Sequence, residues 1–200
     1  NKGRLYLIPV PLGPTAVATV LPQAVLACAR GLGHFVAENA KAARAFLKLL
    51  PADLPVQEIW IQELNQHTPA SELPALLAPL LTGNDVGLIS EAGCPAVADP
   101  GAALVALAQE EGIQVVPMVG PSSILLALMG SGLSGQCFAF HGYLPSAPRE
   151  REKRLRELEK ESRLGQQTQI FIETPYRNQQ MLESLLKTCA HETRVCVATD

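Results

Sequence analysis

Apolar positions in this chain fall into short continuous runs separated by amphipathic stretches and by glycine and proline. Residues 5–10 and 86–89 are uninterrupted apolar runs, the pattern of strands buried on both faces rather than one. Further strands are predicted at 34–37, at 58–64 around the sole tryptophan, Trp60, and at 114–118. Helical periodicity appears between them. Residues 21–30 form a helix stopped by Gly31, and Asn39 can cap a helix with Ala43, Phe46, Leu47 and Leu50 on one face. Ser71 and Glu72 open a Leu/Ala-rich helix expected to break at Pro79, and residues 102–108 lead a helix into a glycine stop at Gly112. Residues 51–55 read as a linker, and Gly83-Asn84-Asp85 as a turn. Strand and helix alternate with short connections, which predicts an α/β chain with a mostly parallel sheet.

The pattern changes near Gly120, where a domain boundary is expected between 1–119 and 120–200. A helix is predicted from 124, then strands at 137–141, 169–173 and 194–198, with a helix over 181–186 opened by Asn178. A domain that ends directly on a strand, at Asp200, is expected to be incomplete at its C-terminus. Residues 149–163 carry seven Arg or Lys and five Glu, a net of +2. Mixed signs at helical spacing read first as a solvated face, and second as a surface for nucleic-acid phosphates.

Composition narrows the classes. A hydrophobic content of 48% with 18% charged residues belongs to a folded globular chain. The formal net charge of −3 gives no global attraction to nucleic acid. The five cysteines lack C-x-x-C or zinc-finger spacing, which points to reduced thiols in a cytoplasmic protein and to no metal site. No apolar run approaches the ~18 residues that span a bilayer, so no membrane partner is expected.

The stretch with most chemical content is residues 90–101, SEAGCPAVADPG, between a predicted strand and helix. Glycines and prolines make it close-approaching yet stiff, and open α/β sheets bind ligands at such strand ends. Cys94 invites a nucleophile reading, but no neighbouring histidine supports it. Glu91 and Asp99 are candidate metal ligands, or hydroxyl acceptors, with Asp99 also placed to cap the helix at Pro100. Gly120-Pro121-Ser122-Ser123 leaves another strand for a helix, and either serine can cap it or donate to a ligand. Glu173 and Arg177, four apart at a strand end, can pair. Glycine-rich phosphate-loop fingerprints are absent.

Five stretches in order resemble the tetrapyrrole (corrin/porphyrin) methylase superfamily of S-adenosylmethionine-dependent methyltransferases: 5–13, 90–101, 119–123, 140–145 and 172–177. The resemblance is nearest to its ribosomal RNA 2′-O-ribose methyltransferase branch. It implies two α/β domains, mostly parallel in the first and mixed in the second, with S-adenosylmethionine in the interdomain cleft, and a homodimer. Carried over by position, the cofactor would be held by Pro11, Leu12, Gly93, Cys94, Pro95, Ala96, Val97, Ser122, Ser123, Ile124 and Ile172. A ribose hydroxyl needs its proton removed, and Glu38, His67 and Glu173 are the candidates. Glu91 and Cys94 stand where that branch has Asp and Thr, and residues 38–41 (ENAK) replace its EDTR. These departures lie on the acceptor side; by the resemblance structured RNA is the first expected substrate, with a tetrapyrrole or other small molecule, or a non-catalytic cofactor-binding module, as alternatives.

Overall fold

In a computed structural model describing residues 1–50 and 54–199, the chain divides into two units, Asn1–Ser122 and Ser123–Asp200. Most of the expected 51–55 linker lies outside the described residues. In the first unit the apolar runs become β1 (Arg4–Ile8), β2 (His34–Ala37), β3 (Trp60–Glu63), β4 (Val86–Ile89) and β5 (Gln114–Pro117). They pair in parallel in the order β3-β2-β4-β1-β5. Helices α1 (Val17–Val20), α2 (Gln23–Gly31) and α3 (Ala40–Lys48) carry the chain from β1 through β2 to β3, toward one edge. Helices α4 (Leu73–Leu76), α5 (Ala78–Leu81) and α6 (Gly101–Glu110) carry it back through β4 to β5. Right-handed crossovers running in opposite directions lie on opposite sheet faces.

Two cores follow from that geometry. Ile8, Phe35, Ala37, Ile61 and Ile89 pack with α2 and α3 residues on one face. Leu5, Val36, Val86 and Leu88 pack with Leu76, Leu80, Leu104 and Ala108 on the other. Successive strand residues alternate between the cores, so the strands had to be apolar without a break. Asn39 accepts from the Ala42 N–H at 3.0 Å and caps α3 as expected. The Leu/Ala-rich helix breaks at Leu77, two residues before Pro79, because the proline lacks an N–H and crowds the preceding turn.

The second unit holds α7 (Ser123–Ser131), β6 (Phe138–Tyr143), α8 (Pro148–Gly165), β7 (Thr168–Ile172) and α9 (Asn178–Thr188). Leu144, Leu155, Leu158 and Met181 form its small core. Two expectations are corrected. The mixed sheet is, among the described residues, a parallel pair of β6 and β7, because the long α8 crossover returns the chain in the same direction. Residues 194–198 form no strand, since they find no ladder partner and Val195 and Val197 remain exposed. No helix among the described residues is long and apolar enough to cross a membrane.

Gly87, in the buried centre of β4, leaves no space for a side chain: a Cβ there would sit 2.5 Å from the Phe35 ring. Gly87→Ala is expected to destabilise the fold by about 1–3 kcal/mol. That lowers the thermal midpoint by roughly 2–4 °C per kcal/mol, measurable by calorimetric or spectroscopic melting.

Candidate functional site

Neighbouring strands β4 and β1 send their following loops away over opposite faces of the sheet. Their carboxyl ends therefore stay open, as at the switch point of other open α/β sheets. Past β1 the chain stays extended to Val10, which exchanges both backbone hydrogen bonds with Gly93, at 3.0 and 3.1 Å. Gly93 has φ +69°, and a Cβ there would come within 3.1 Å of the Leu12 side chain and 3.3 Å of the Pro121 carbonyl. Both the backbone conformation and the close approach require glycine. The Cys94 thiol points at the Pro121 carbonyl, 3.4 Å away. A Cβ on Gly120 would meet Pro9 at 2.3 Å. Thus Pro11, Leu12, Gly93 and Cys94 are brought together with Gly120 and Pro121 on three loops after adjacent strands. Leu12, Val97 and Val119 leave exposed apolar side chains on these loops. Pro95 is buried and Ala96 half-buried behind them.

The loop after β4 is held by Asp99. Ala96 and Ala98 adopt left-handed backbone, φ 64° and 58°, which costs roughly 1–2 kcal/mol per residue for an L-amino acid. The Asp99 carboxylate accepts the Ala96 N–H with both oxygens, at 2.9 and 3.0 Å, and the Gly101 N–H at 2.7 Å. The capping expectation is refined accordingly. Pro100 is the residue before α6 and Gly101 its first, so Asp99 clasps the loop to the helix from one position further back. Burial raises the Asp99 carboxyl above its ordinary range, with the Gly101 and Ala96 bonds opposing.

Glu38 follows β2, the other neighbour of β4. Its carboxyl is raised by burial first and then by Glu91 and Asp99, against a backbone bond from Glu91. Three carboxylates therefore converge beside the loop after β4. Among the described residues no group of His, Cys, Asp and Glu is placed to hold a metal ion. Burial also raises the Cys94 thiol, which disfavours the thiolate a nucleophile needs. The other candidate bases lie elsewhere. His67 is exposed in a turn after β3, with its backbone N–H held by Asn65 at 2.9 Å. Glu173, after β7 in the second unit, is ion-paired with Arg177 at 2.7 Å and accepts the Thr174 N–H at 2.8 Å. Ser122 ends the first unit, while Ser123 and Ile124 open α7 and Ile172 ends β7 in the second.

Sequence reasoning did not find the cavity beside these loops. It has a volume of about 540 Å³ and is lined by the segment after β1 (Val10, Pro11 and residues 13–17), by Ala42 and Phe46 of α3 with Leu49 just past its end, and by Ile89, Ser90 and Glu91. The one available signal was Leu49, apolar yet off the buried stripe of α3.

In the second unit α8 separates its charges by face. Leu155 and Leu158 are buried, and so is Arg151, which donates to the Ser184 hydroxyl at 2.9 Å and the Ser146 carbonyl at 2.8 Å. Arg154, Arg156 and Arg163 pair with Glu157 and Glu161, with Glu152, and with Glu159. Arg149, Lys153 and Lys160 are exposed, have no ion pair among the described residues, and share the face opposite the core.

Comparison with known proteins gives a consistent picture. Residues 4–200 match the family described as Tetrapyrrole (Corrin/Porphyrin) Methylases. Proteins named ribosomal RNA small subunit methyltransferase I are similar over nearly the whole chain. That of Vibrio cholerae is 30% identical over 98% of this chain and 64% of its own length. Those of Escherichia coli O157:H7 and Synechocystis are 30% and 32% identical over 100% and 99% of this chain, and 66% and 67% of theirs. The chain thus spans about two thirds of the length of these relatives. In fold it resembles a crystal structure of the methyltransferase CobJ, with TM-score 0.60 at 18% identity, covering 94% of this chain and 77% of that one.

Removing the Asp99 clasp strands two N–H groups in a partly buried loop. Asp99→Ala is expected to destabilise the protein by roughly 2–4 kcal/mol, with Asp99→Asn recovering part of the loss, as read by urea unfolding. A raised carboxyl binds its proton more tightly when folded, so the contribution of Glu38 and Asp99 to stability is greatest below the ordinary carboxyl range and falls as pH rises through the raised values. Glu38→Gln should flatten that fall, raising the melting midpoint at pH 8 and leaving it nearly unchanged at pH 4.

Proposed function

The chain belongs to the tetrapyrrole (corrin/porphyrin) methylase family, and from that premise we propose that it is an S-adenosylmethionine-dependent methyltransferase acting on a ribose hydroxyl of structured RNA. The observation that carries the reading is the meeting of three loops after β4, β1 and β5 around the Val10–Gly93 bridge. Such a cradle offers backbone groups, small side chains and exposed apolar surface. These suit a ligand with an adenine ring and an amino-acid tail. Pro11, Leu12, Gly93, Cys94, Pro95, Ala96 and Val97 would hold the cofactor in the first unit. Ser122, Ser123, Ile124 and Ile172 join them by resemblance to the family.

When bound, the cofactor supplies an activated sulfonium methyl group. The work left to the protein is to align the acceptor, exclude water and take one proton. Glu38 fits the last task best. Its carboxyl is raised by burial and by Glu91 and Asp99, which makes it the stronger base, whereas Glu173 is held by Arg177. Cys94 serves as a wall of the cradle. Exposed Arg149, Lys153 and Lys160 on α8 suit phosphate contacts outside the reacting centre. The similarity to proteins named ribosomal RNA small subunit methyltransferase I favours RNA over a tetrapyrrole. A cytoplasmic homodimer completes the reading, and the free thiols of all five cysteines fit a reducing compartment.

Calorimetry with S-adenosylhomocysteine is expected to detect one site per chain, and absence of binding would sink the reading. Cys94→Ser should keep that affinity within about tenfold, ~1.4 kcal/mol. Glu38→Gln should leave it likewise but lower labelled methyl transfer to ribosomal RNA by roughly 10²–10⁴-fold. Transfer to tetrapyrroles alone, or tight binding with no transfer to any acceptor, would favour the small-molecule enzyme or the non-catalytic module.

A further inference from the structure

We propose that the cavity between the segment after β1, helix α3 and the loop after β4 binds a heteroaromatic ring bearing an amino group, with the Glu91 carboxylate as the acceptor for that group. The inference rests on the methyltransferase reading, and it assigns the part of the acceptor that enters the first unit.

Size and lining both suit an apolar ring with hydrogen-bond donors. The volume of about 540 Å³ lies in the range of small-molecule sites, roughly 300–1,000 Å³. Its walls are apolar, with Phe46, Leu49, Val17 and Pro14 among them. Leu49 is 64% exposed, and its contribution to the core does not account for it. Aromatic and aliphatic walls of this kind stack against a planar ring.

The polar side chains of the lining are Thr15 on the segment after β1 and Ser90 and Glu91 on the loop after β4, and Glu91 is the one that carries charge. The Ser90 hydroxyl donates to the Ala92 carbonyl at 3.1 Å, so its proton is already engaged. Glu91 is exposed, and among the described residues its side chain has neither a hydrogen bond nor an ion pair. Glu38 and Asp99 stand close by and reinforce the negative potential. Among the described residues no lysine, arginine or histidine lines the cavity. A ring substituted with carboxylates, as tetrapyrroles are, would meet repulsion here and no compensating cation. A neutral ring with an exocyclic amine finds a carboxylate that has no partner among the described residues. The cavity shares Val10 and Pro11 with the three-loop cradle and extends from it along residues 13–17 and α3 to Ser90 and Glu91, so it is a subsite adjoining the cradle.

The test is methyl-resolved NMR of the whole chain with labelled leucine and valine, titrated with guanosine and with inosine. The two nucleosides differ by a single exocyclic amino group. Guanosine is expected to shift the Leu49 and Val17 methyl signals with about tenfold higher affinity than inosine, as befits one hydrogen bond to a charged acceptor. Glu91→Ala should erase that difference. Leu49→Arg, which fills the cavity from an exposed position, should abolish the shifts for both. Equal response to the two nucleosides, no response to either, or displacement of guanosine from these methyls by uroporphyrin would overturn the proposal. Calorimetry with S-adenosylhomocysteine on the same samples separates the two readings. Cofactor binding without the guanosine response overturns this subsite alone, and loss of cofactor binding overturns the methyltransferase reading.

Discussion

The site depends on the reversal of crossover direction between β4 and β1. Because the chain leaves these neighbours over opposite faces, the helices that follow β4 and β1 do not cover their carboxyl ends and the two loops are left facing each other. Open ends would splay if nothing joined them. The paired hydrogen bonds between Val10 and Gly93 join them, and Gly93 can form that bridge because it tolerates a positive φ and the closeness of Leu12 and Pro121. Gly120 packed on Pro9 brings in the third loop. The cradle is thus a property of the sheet order, kept in register by two glycines.

Around the cradle, position and electrostatics are set by the loop after β4. Left-handed alanines at 96 and 98 are held by Asp99, whose carboxylate binds N–H groups on both sides of the bend. Burial raises the Asp99 carboxyl, and burial followed by the charges of Glu91 and Asp99 raises that of Glu38, so both groups take stability from the folded state at neutral pH. Strain and clustered charge that a purely structural loop would avoid are typical of sites where ligands bind. The raised thiol of Cys94 fits the same picture, since a protonated sulfur beside carbonyls is packing rather than chemistry.

In the second unit the same sorting by environment acts on one helix. The charged run of residues 149–163 has nearly uniform composition along its length, yet its members do three jobs. Arg151 is buried and ties α8 to α9 through Ser184, the arginines at 154, 156 and 163 are spent on glutamates, and Arg149, Lys153 and Lys160 remain open. A count of net charge over the run could not separate these roles, because helical phase and the position of the core decide which cation meets solvent.

Much of the fold was legible in the sequence because its signals are local. Unbroken apolar runs marked doubly buried strands, Asn39 marked the start of α3, and glycine and proline marked the loop at 90–101. Mixed pairing in the second unit and a strand at 194–198 were misread, because a strand needs a partner and no local pattern names one. The single stretch SEAGCPAVADPG announced a ligand loop by composition and put Asp99 where it could cap a helix, but it left the spatial partners of the thiol and of both carboxylates open. Only the tertiary structure assigned them: Asp99 to backbone N–H groups, Cys94 to a carbonyl-facing wall, and Glu91 to the edge of a cavity with Phe46 and Leu49. Sequence determined which segments could be buried and where the chain could bend. Which loops meet, and which carboxylates share a field, depends on strand order, and strand order is set by long-range packing that no local window contains.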